Sequence, residues 1–77
     1  MPKHFFDLDN GKLRYVDTEG TELTDPNMIR NEAVTFLATV FKDAPPDEGD
    51  CAFVVRVRDE RDRVVYTTAL TLQENWV

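Results

Sequence analysis

Along this 77-residue chain, apolar and polar positions alternate in several short stretches and recur at three- and four-residue steps in one longer one. Side chains two apart share a face of a strand, and those three and four apart share a face of a helix. "HFFDL" is a short extended run that ends at Asp9-Asn10-Gly11, and an Asn-Gly pair between apolar runs marks a hairpin turn. "KLRYVD" returns as a second strand, with Leu13 and Tyr15 on one face and Arg14 and Val16 on the other. After a turn at Thr18-Glu19-Gly20, "TEL" reads only as an extended link.

The helix is predicted from Pro26 to Lys42. Thr24 or Asp25 can cap its first turn, and Pro26 suits the first helical position. Ile29, Ala33, Phe36, Leu37, Val40 and Phe41 line one face, and "DAPP" stops the helix because proline disfavours helical geometry in the residue before it. Replacing Phe36 by Ala is expected to cost about 3–5 kcal/mol. A polar loop, "DEGD", leads to "CAFVVRVRD", with Cys51, Phe53, Val55 and Val57 on one face. "RVVYTTALTL" then runs back with Val64, Tyr66, Thr68, Leu70 and Leu72 as one alternating set. The pattern predicts a single α+β domain over residues 1–77, ββαββ, with one helix packed on one face of a mostly antiparallel four-stranded sheet.

That architecture leaves a sheet face without a helix. Phe5, Val16, Ala52, Val54, Val65 and Ala69 fall on it, more apolar than a solvated face usually is. A second copy of the domain is the simplest cover. The sequence therefore predicts a homodimer through Phe5, Val16, Val54, Val65 and Ala69, with an unknown protein partner as the alternative cover.

Charge narrows the choice of partners. Fifteen acidic against nine basic side chains give a net charge of −6, with no basic block. Such a surface repels phosphate, so neither nucleic acid nor an anionic membrane is an expected partner. Cys51 is the only cysteine and excludes an intrachain disulfide. With no leader-like apolar segment and no run long enough to span a bilayer, a cytoplasmic protein is expected.

Candidate chemistry is sparse. The acids between Asp7 and Glu22 invite a calcium reading, but a calcium loop needs ligands at positions 1, 3 and 5, glycine at 6 and glutamate at 12. Counting from Asp7 puts Gly11 and Lys12 at 5 and 6 and Thr18 at 12. These acids read better as turn formers, since Asp and Asn bond their own backbone two residues on. His4, Asp7 and Asp9 do not converge as metal ligands, because His4 and Asp7 point to opposite faces of an extended strand. Cys51 shares the face of Phe53 and Val55 and reads as a buried, inert thiol. The chain contains no serine, no glycine-rich phosphate loop and no paired carboxylates in an apolar setting. "RVRDERDR", with four Arg against three acids, reads as a nearly neutral solvated turn. No catalytic residue, metal or cofactor is expected.

"P-x-x-FFD", "DNG", "DTEGTEL" and "VRDE…RVVYTTALTL" with a late Trp resemble a family of small uncharacterised alphaproteobacterial, rhizobial-type proteins of the domain-of-unknown-function kind. Their motifs are P-R-Y-F-F-D, D-E-E-G-x-E-L and V-x-D-E-x-G-R. Pro2, Phe5, Phe6, Asp7, Gly20, Glu22, Leu23, Asp59 and Arg63 stand in matching positions, and Asp62 stands where the family usually has Gly. The resemblance implies a bacterial source and a shared fold, but no activity or site residues. The expected function is a small acidic non-enzymatic domain that self-associates as a protein–protein interaction module. The alternatives are a small-ligand or metal-binding protein, or an antitoxin-like or DNA-mimic regulator. Calcium titrated into the metal-free protein is expected to give no site-specific heat by calorimetry. A stoichiometric site of micromolar affinity would overturn the reading of the Asp7–Glu22 acids as turn residues.

Overall fold

The computed structural model describes residues 2–44 and 51–77. Five strands and one helix follow in the order β1 (Lys3–Asp9), β2 (Arg14–Tyr15), β3 (Thr21–Glu22), α1 (Pro26–Asp43), β4 (Cys51–Arg58) and β5 (Val64–Leu72). All pairings are antiparallel, and the sheet order is β2-β1-β4-β5, with β3 also pairing with β1. The fold is the α+β arrangement expected from the pattern, with the "TEL" link contributing one additional short strand.

The first hairpin closes as its turn chemistry dictates. Gly11 has φ 89°, and the Asn10 side chain accepts from the Lys12 and Leu13 N–H groups at 3.0 and 2.7 Å. Those side-chain bonds divert the backbone, so the second strand is trimmed from the expected "KLRYVD" to Arg14–Tyr15.

Asp25 caps the helix by accepting the Asn27 N–H at 2.8 Å, and Pro26 opens the first turn. Ile29, Ala33 and Leu37 are buried against Phe6, Phe53, Val55 and Val57, and Phe36, Val40 and Phe41 pack around them. Phe41 meets the Phe53 ring at 5.3 Å. The helix lies over β4 and β5 more than over β1, and no described helix is long and apolar enough to cross a membrane. Residues 45–50 and the side chain of Cys51 lie outside the described residues, and with them the expected proline stop, the polar loop and the buried thiol.

Two expectations change. Val57 pairs with Tyr66, and Arg58 pairs with Val64, which leaves Val65 as an extra residue in β5. A bulge of this kind reverses the alternation beyond it. Val64 therefore sits opposite Arg58 and not in the row of Tyr66, and it is exposed. Nor is "RVRDERDR" a solvated turn throughout, because Arg56 and Arg58 belong to β4 and are half-buried. The turn itself is Asp59–Arg63, where Asp62 takes φ 61°, the left-handed conformation that Gly would adopt more cheaply.

The burial pattern ranks the helix residues. Leu37 is at the centre, whereas Phe36 is only half-buried and forms the wall of an open groove. Leu37→Ala is expected to cost about 3–4 kcal/mol and Phe36→Ala about 1–2 kcal/mol, which reverses the order that side-chain size suggests. Urea denaturation of the two variants checks this, and equal midpoints would contradict the burial ranking.

Candidate functional site

Three surfaces compete as the working part of this domain: the sheet face away from the helix, the groove beside the helix, and the outer edge of β5.

The free face is built around a gap. β2 and β3 both pair with β1 on the same side, β2 with its C-terminal end and β3 with its N-terminal end. Between them the chain leaves the sheet, and the carboxylate of Asp17 takes the place of the missing ladder. Its Oδ2 accepts the Phe6 N–H at 3.1 Å, and its Oδ1 accepts the Glu19 and Gly20 N–H groups, each at 3.1 Å. The Asp17 N–H in turn donates to Asp7 Oδ1 at 3.0 Å.

Arg58, on β4, closes the assembly. Its Nε donates to Asp7 Oδ2 at 2.7 Å, its Nη2 to the Asp17 carbonyl at 2.7 Å, and its Nη1 to Asp62 Oδ1 at 3.0 Å. The guanidinium also lies 4.7 Å from the centre of the Phe5 ring, in cation–π contact. Gly20 also lies against that ring: its φ is 74°, and an added Cβ would fall 2.8 Å from a ring carbon. Phe5, Gly20, Asp7, Asp17 and Arg58 thus form one lock.

Electrostatics follow from these contacts. Burial pushes the Asp17 carboxyl up, but the bonds from Gly20, Phe6 and Glu19 and the nearby Arg58 charge outweigh it and hold the group below its ordinary value. Asp59 is also held low, first by the Arg63 N–H and further by Arg61 N–H and the Arg63 guanidinium. Donation to the Asp7 carboxylate raises the Arg58 guanidinium, which is charged throughout the physiological range. Such saturated carboxylates suit structural work and not proton transfer.

The lock changes how the free face reads. Period-two alternation puts Asp7 and Asp9 on β1 beside Phe5, and Arg56 and Arg58 on β4 beside Val54. Arg56 reaches Asp9 at 3.6 Å. The β1–β4 half of the face is therefore a carpet of ion pairs. Val54 and Ala69 meet in direct cross-strand register, Val65 stands at the bulge, and Phe5 lies within the lock. Val16, half exposed, follows β2. A symmetric contact over all five residues would have to desolvate the ion pairs as well, a cost that can exceed the Coulombic gain.

On the helix side, a groove of about 570 Å³ runs between α1 and β1–β2, with Phe6, Leu8, Phe36 and Val40 as its floor and walls and Glu32 and Thr35 at its rim. Tyr15 leans over it in edge contact with Phe36, ring centres 6.3 Å apart. His4 shares the strand face of Phe6 and Leu8, opposite to Asp7 and Asp9, and its Nδ1 is buried with no partner among the described residues. Among the described residues no three His, Cys, Asp or Glu side chains gather as a metal set.

The third surface is the outer side of β5. The two sheet edges differ sharply. The β2/β3 edge consists of two-residue strands interrupted by the Asp17 lock. β5 runs for nine residues, VVYTTALTL, with no charge and no proline, and among the described residues only β4 pairs with it. Val64, Val65 and Leu70 are exposed along it. A long, uncharged edge of unpaired N–H and C=O groups is a ready template for another strand. The absence of charge over 64–72 was visible in the sequence, but the edge position was not, because it depends on which strands flank β4.

In comparison with known proteins, the family model described as "Domain of unknown function (DUF6894)" matches residues 3–71, nearly the whole chain, and the chain belongs to that family. No curated protein and no solved structure matches it.

Because the folded-state values of Asp17 and Asp59 lie below the ordinary 3.8, their contribution is complete above that value and is lost as pH falls through the depressed ones. Melting temperature is therefore expected to hold from neutrality to about pH 5 and to fall below about pH 4. Asp17→Asn must turn an amide NH₂ toward one of the three backbone donors and is expected to cost about 1–3 kcal/mol at pH 7. That penalty should shrink at acid pH, and thermal melts of both proteins across the range check it. An equal penalty at all pH values would remove the charge of Asp17 from the account.

Proposed function

We propose that this domain is a non-enzymatic protein-interaction module whose working surface is the outer edge of β5, where a partner adds an extended strand. The observation that carries the reading is the contrast between the two edges. Proteins blunt sheet edges with short strands, charge, proline or a cover, and β2/β3 is short and interrupted while β5 is long and bare. Strand addition draws affinity from main-chain bonds and specificity from alternate side chains. On β5 the row facing the helix side offers Tyr66, Thr68, Leu70 and Leu72, and the other row offers Thr67, Ala69 and Thr71. The charged groups best placed for chemistry, Asp7, Asp17 and Arg58, are already bound to one another and to the backbone.

A second reading, a small-ligand site, is favoured by the groove beside α1, whose volume of about 570 Å³ falls within the range of small-molecule pockets. Its aromatic floor with Glu32 at the rim would suit an apolar molecule carrying a positive group.

The two readings separate in one experiment. Extended peptides are selected from a random displayed library against the immobilised domain, then titrated into isotope-labelled protein while its amide spectrum is followed. Shifts concentrated in Val64–Leu72 are expected. Shifts confined to Phe6, Thr35 and Phe36 would move the function to the groove, and a selection that yields no binder would overturn the edge reading.

A further inference from the structure

We infer that the strand added to β5 is β5 of a second copy, paired antiparallel about a two-fold axis at Ala69, so that two five-stranded sheets become one continuous sheet. This rests on the edge reading above and names its partner.

The register follows from the bulge. Val65 breaks the regular pleat, which leaves Tyr66–Leu72 as the part of the edge in unbroken register. The centre of that segment is Ala69. Antiparallel pairing about it sets Tyr66 against Leu72, Thr67 against Thr71, Thr68 against Leu70, and Ala69 against itself. Every pair is uncharged, and apolar and Thr–Thr cross-strand pairs of this kind stabilise a sheet. Seven paired residues make roughly six to eight main-chain bonds, within the range of a standard interface. The smallest side chain of the segment falls on the axis, where the two copies approach most closely.

Charge complementarity supports a second copy over an unrelated strand. Beyond Leu72 the same register carries the other copy's Glu74 and Trp76 alongside the turn Asp59–Arg63. That turn carries Arg61 and Arg63 among three acids that are already engaged, Asp59 by Arg63, Asp62 by Arg58 and Glu60 by the Lys3 N–H, and the Arg63 side chain is 67% exposed despite its bond to Asp59. Trp76, at 97% exposure, is the most exposed aromatic side chain and lies outside the residues that the family model matches. An indole ring against a guanidinium and a carboxylate beside it is a favourable set, and the two-fold makes it twice. None of the charge behind the net −6 per chain lies on β5, so pairing these strands brings no like charges directly opposite each other.

Only a residue on the axis meets its own copy, and that gives a test specific to this register. Ala69 is exposed, so a long charged side chain there does not disturb the core. Like charges directly opposite each other destabilise a strand pair, and opposite charges restore it. Sedimentation velocity of the full chain is expected to give a dimer for the wild type, monomers for Ala69→Lys and for Ala69→Glu, and a dimer again when the two variants are mixed. Circular dichroism verifies that each variant is folded. Should one of them unfold, the exposed pair Thr67 and Thr71 supplies the same test: Thr67→Glu with Thr71→Glu is expected to be a monomer, and Thr67→Glu with Thr71→Lys a dimer. Variants that dimerise like the wild type, or a mixture that stays monomeric, would overturn the two-fold at Ala69. A wild-type monomer at high micromolar concentration, with selected peptides still shifting the β5 amides, would overturn the second copy as partner and leave the edge reading standing. A monomer without such shifts would sink both.

Discussion

The structure turns on one substitution of chemistry for chain: the carboxylate of Asp17 stands where a strand should be. β1 needs a neighbour on each side, and β4 supplies one along much of its length. On the other side, the segment from Arg14 to Glu22 covers only the two ends, and the Phe6 N–H in the middle would be left without a partner. Asp17 meets that N–H and in the same gesture folds its own loop through Glu19 and Gly20. A carboxylate so placed brings charge toward the sheet, and burial opposes it. Arg58 answers that charge from β4, and Asp7 and Asp62 share the guanidinium. Each member is tolerable only because the others are present.

How much of this could be read from the chain depends on sequence distance. The helix, its Asp25 cap and the buried row of β4 are local patterns, and each is found where the periodicity puts it. The Asn-Gly hairpin is local too. The lock is not, because Asp7 and Arg58 lie 51 residues apart and meet only when β1 pairs with β4. The bulge at Val65 is likewise set by pairing and not by composition, so simple alternation places Val64 in the row of Tyr66 whereas the structure places it opposite Arg58. The charged half of the free face is a different case. Asp7, Asp9, Arg56 and Arg58 follow from the same alternation that selected Phe5 and Val54, so the pattern contained them. The face therefore carries opposite charges in adjacent rows beside its apolar members.

A domain with a single helix can dry only one side of its sheet. Two remedies exist for the other side: cover it with another chain, or make it comfortable in water. The rows of Asp and Arg adopt the second along β1 and the near half of β4, where the pairs are wet enough to escape much of the desolvation penalty of buried ions. The half nearest β5 carries Val54, Ala69 and Thr67, small or β-branched side chains that need little covering. Covering that face would desolvate its ion pairs together with its apolar side chains.

The demand that is left belongs to the backbone. Main-chain N–H and C=O groups on an outer strand cannot be neutralised by a choice of neighbouring side chains; they are bonded to water, to protein, or to another strand. On the β2/β3 side that requirement is met by keeping the strands short and filling the gap with Asp17. Along β5 nothing comparable is present over nine residues, although one lysine or proline would have sufficed to guard it. Yet the chain is not poor in charge: nearly a third of its residues are ionisable, and the turn just before β5 holds five of them in a row. Charge is abundant up to Arg63, absent from Val64 to Leu72, and present again at Glu74. That strand is bracketed by charge on both sides and lies at the edge of the sheet, where only β4 pairs with it among the described residues, and this contrast is the physical basis for proposing that a partner strand adds there.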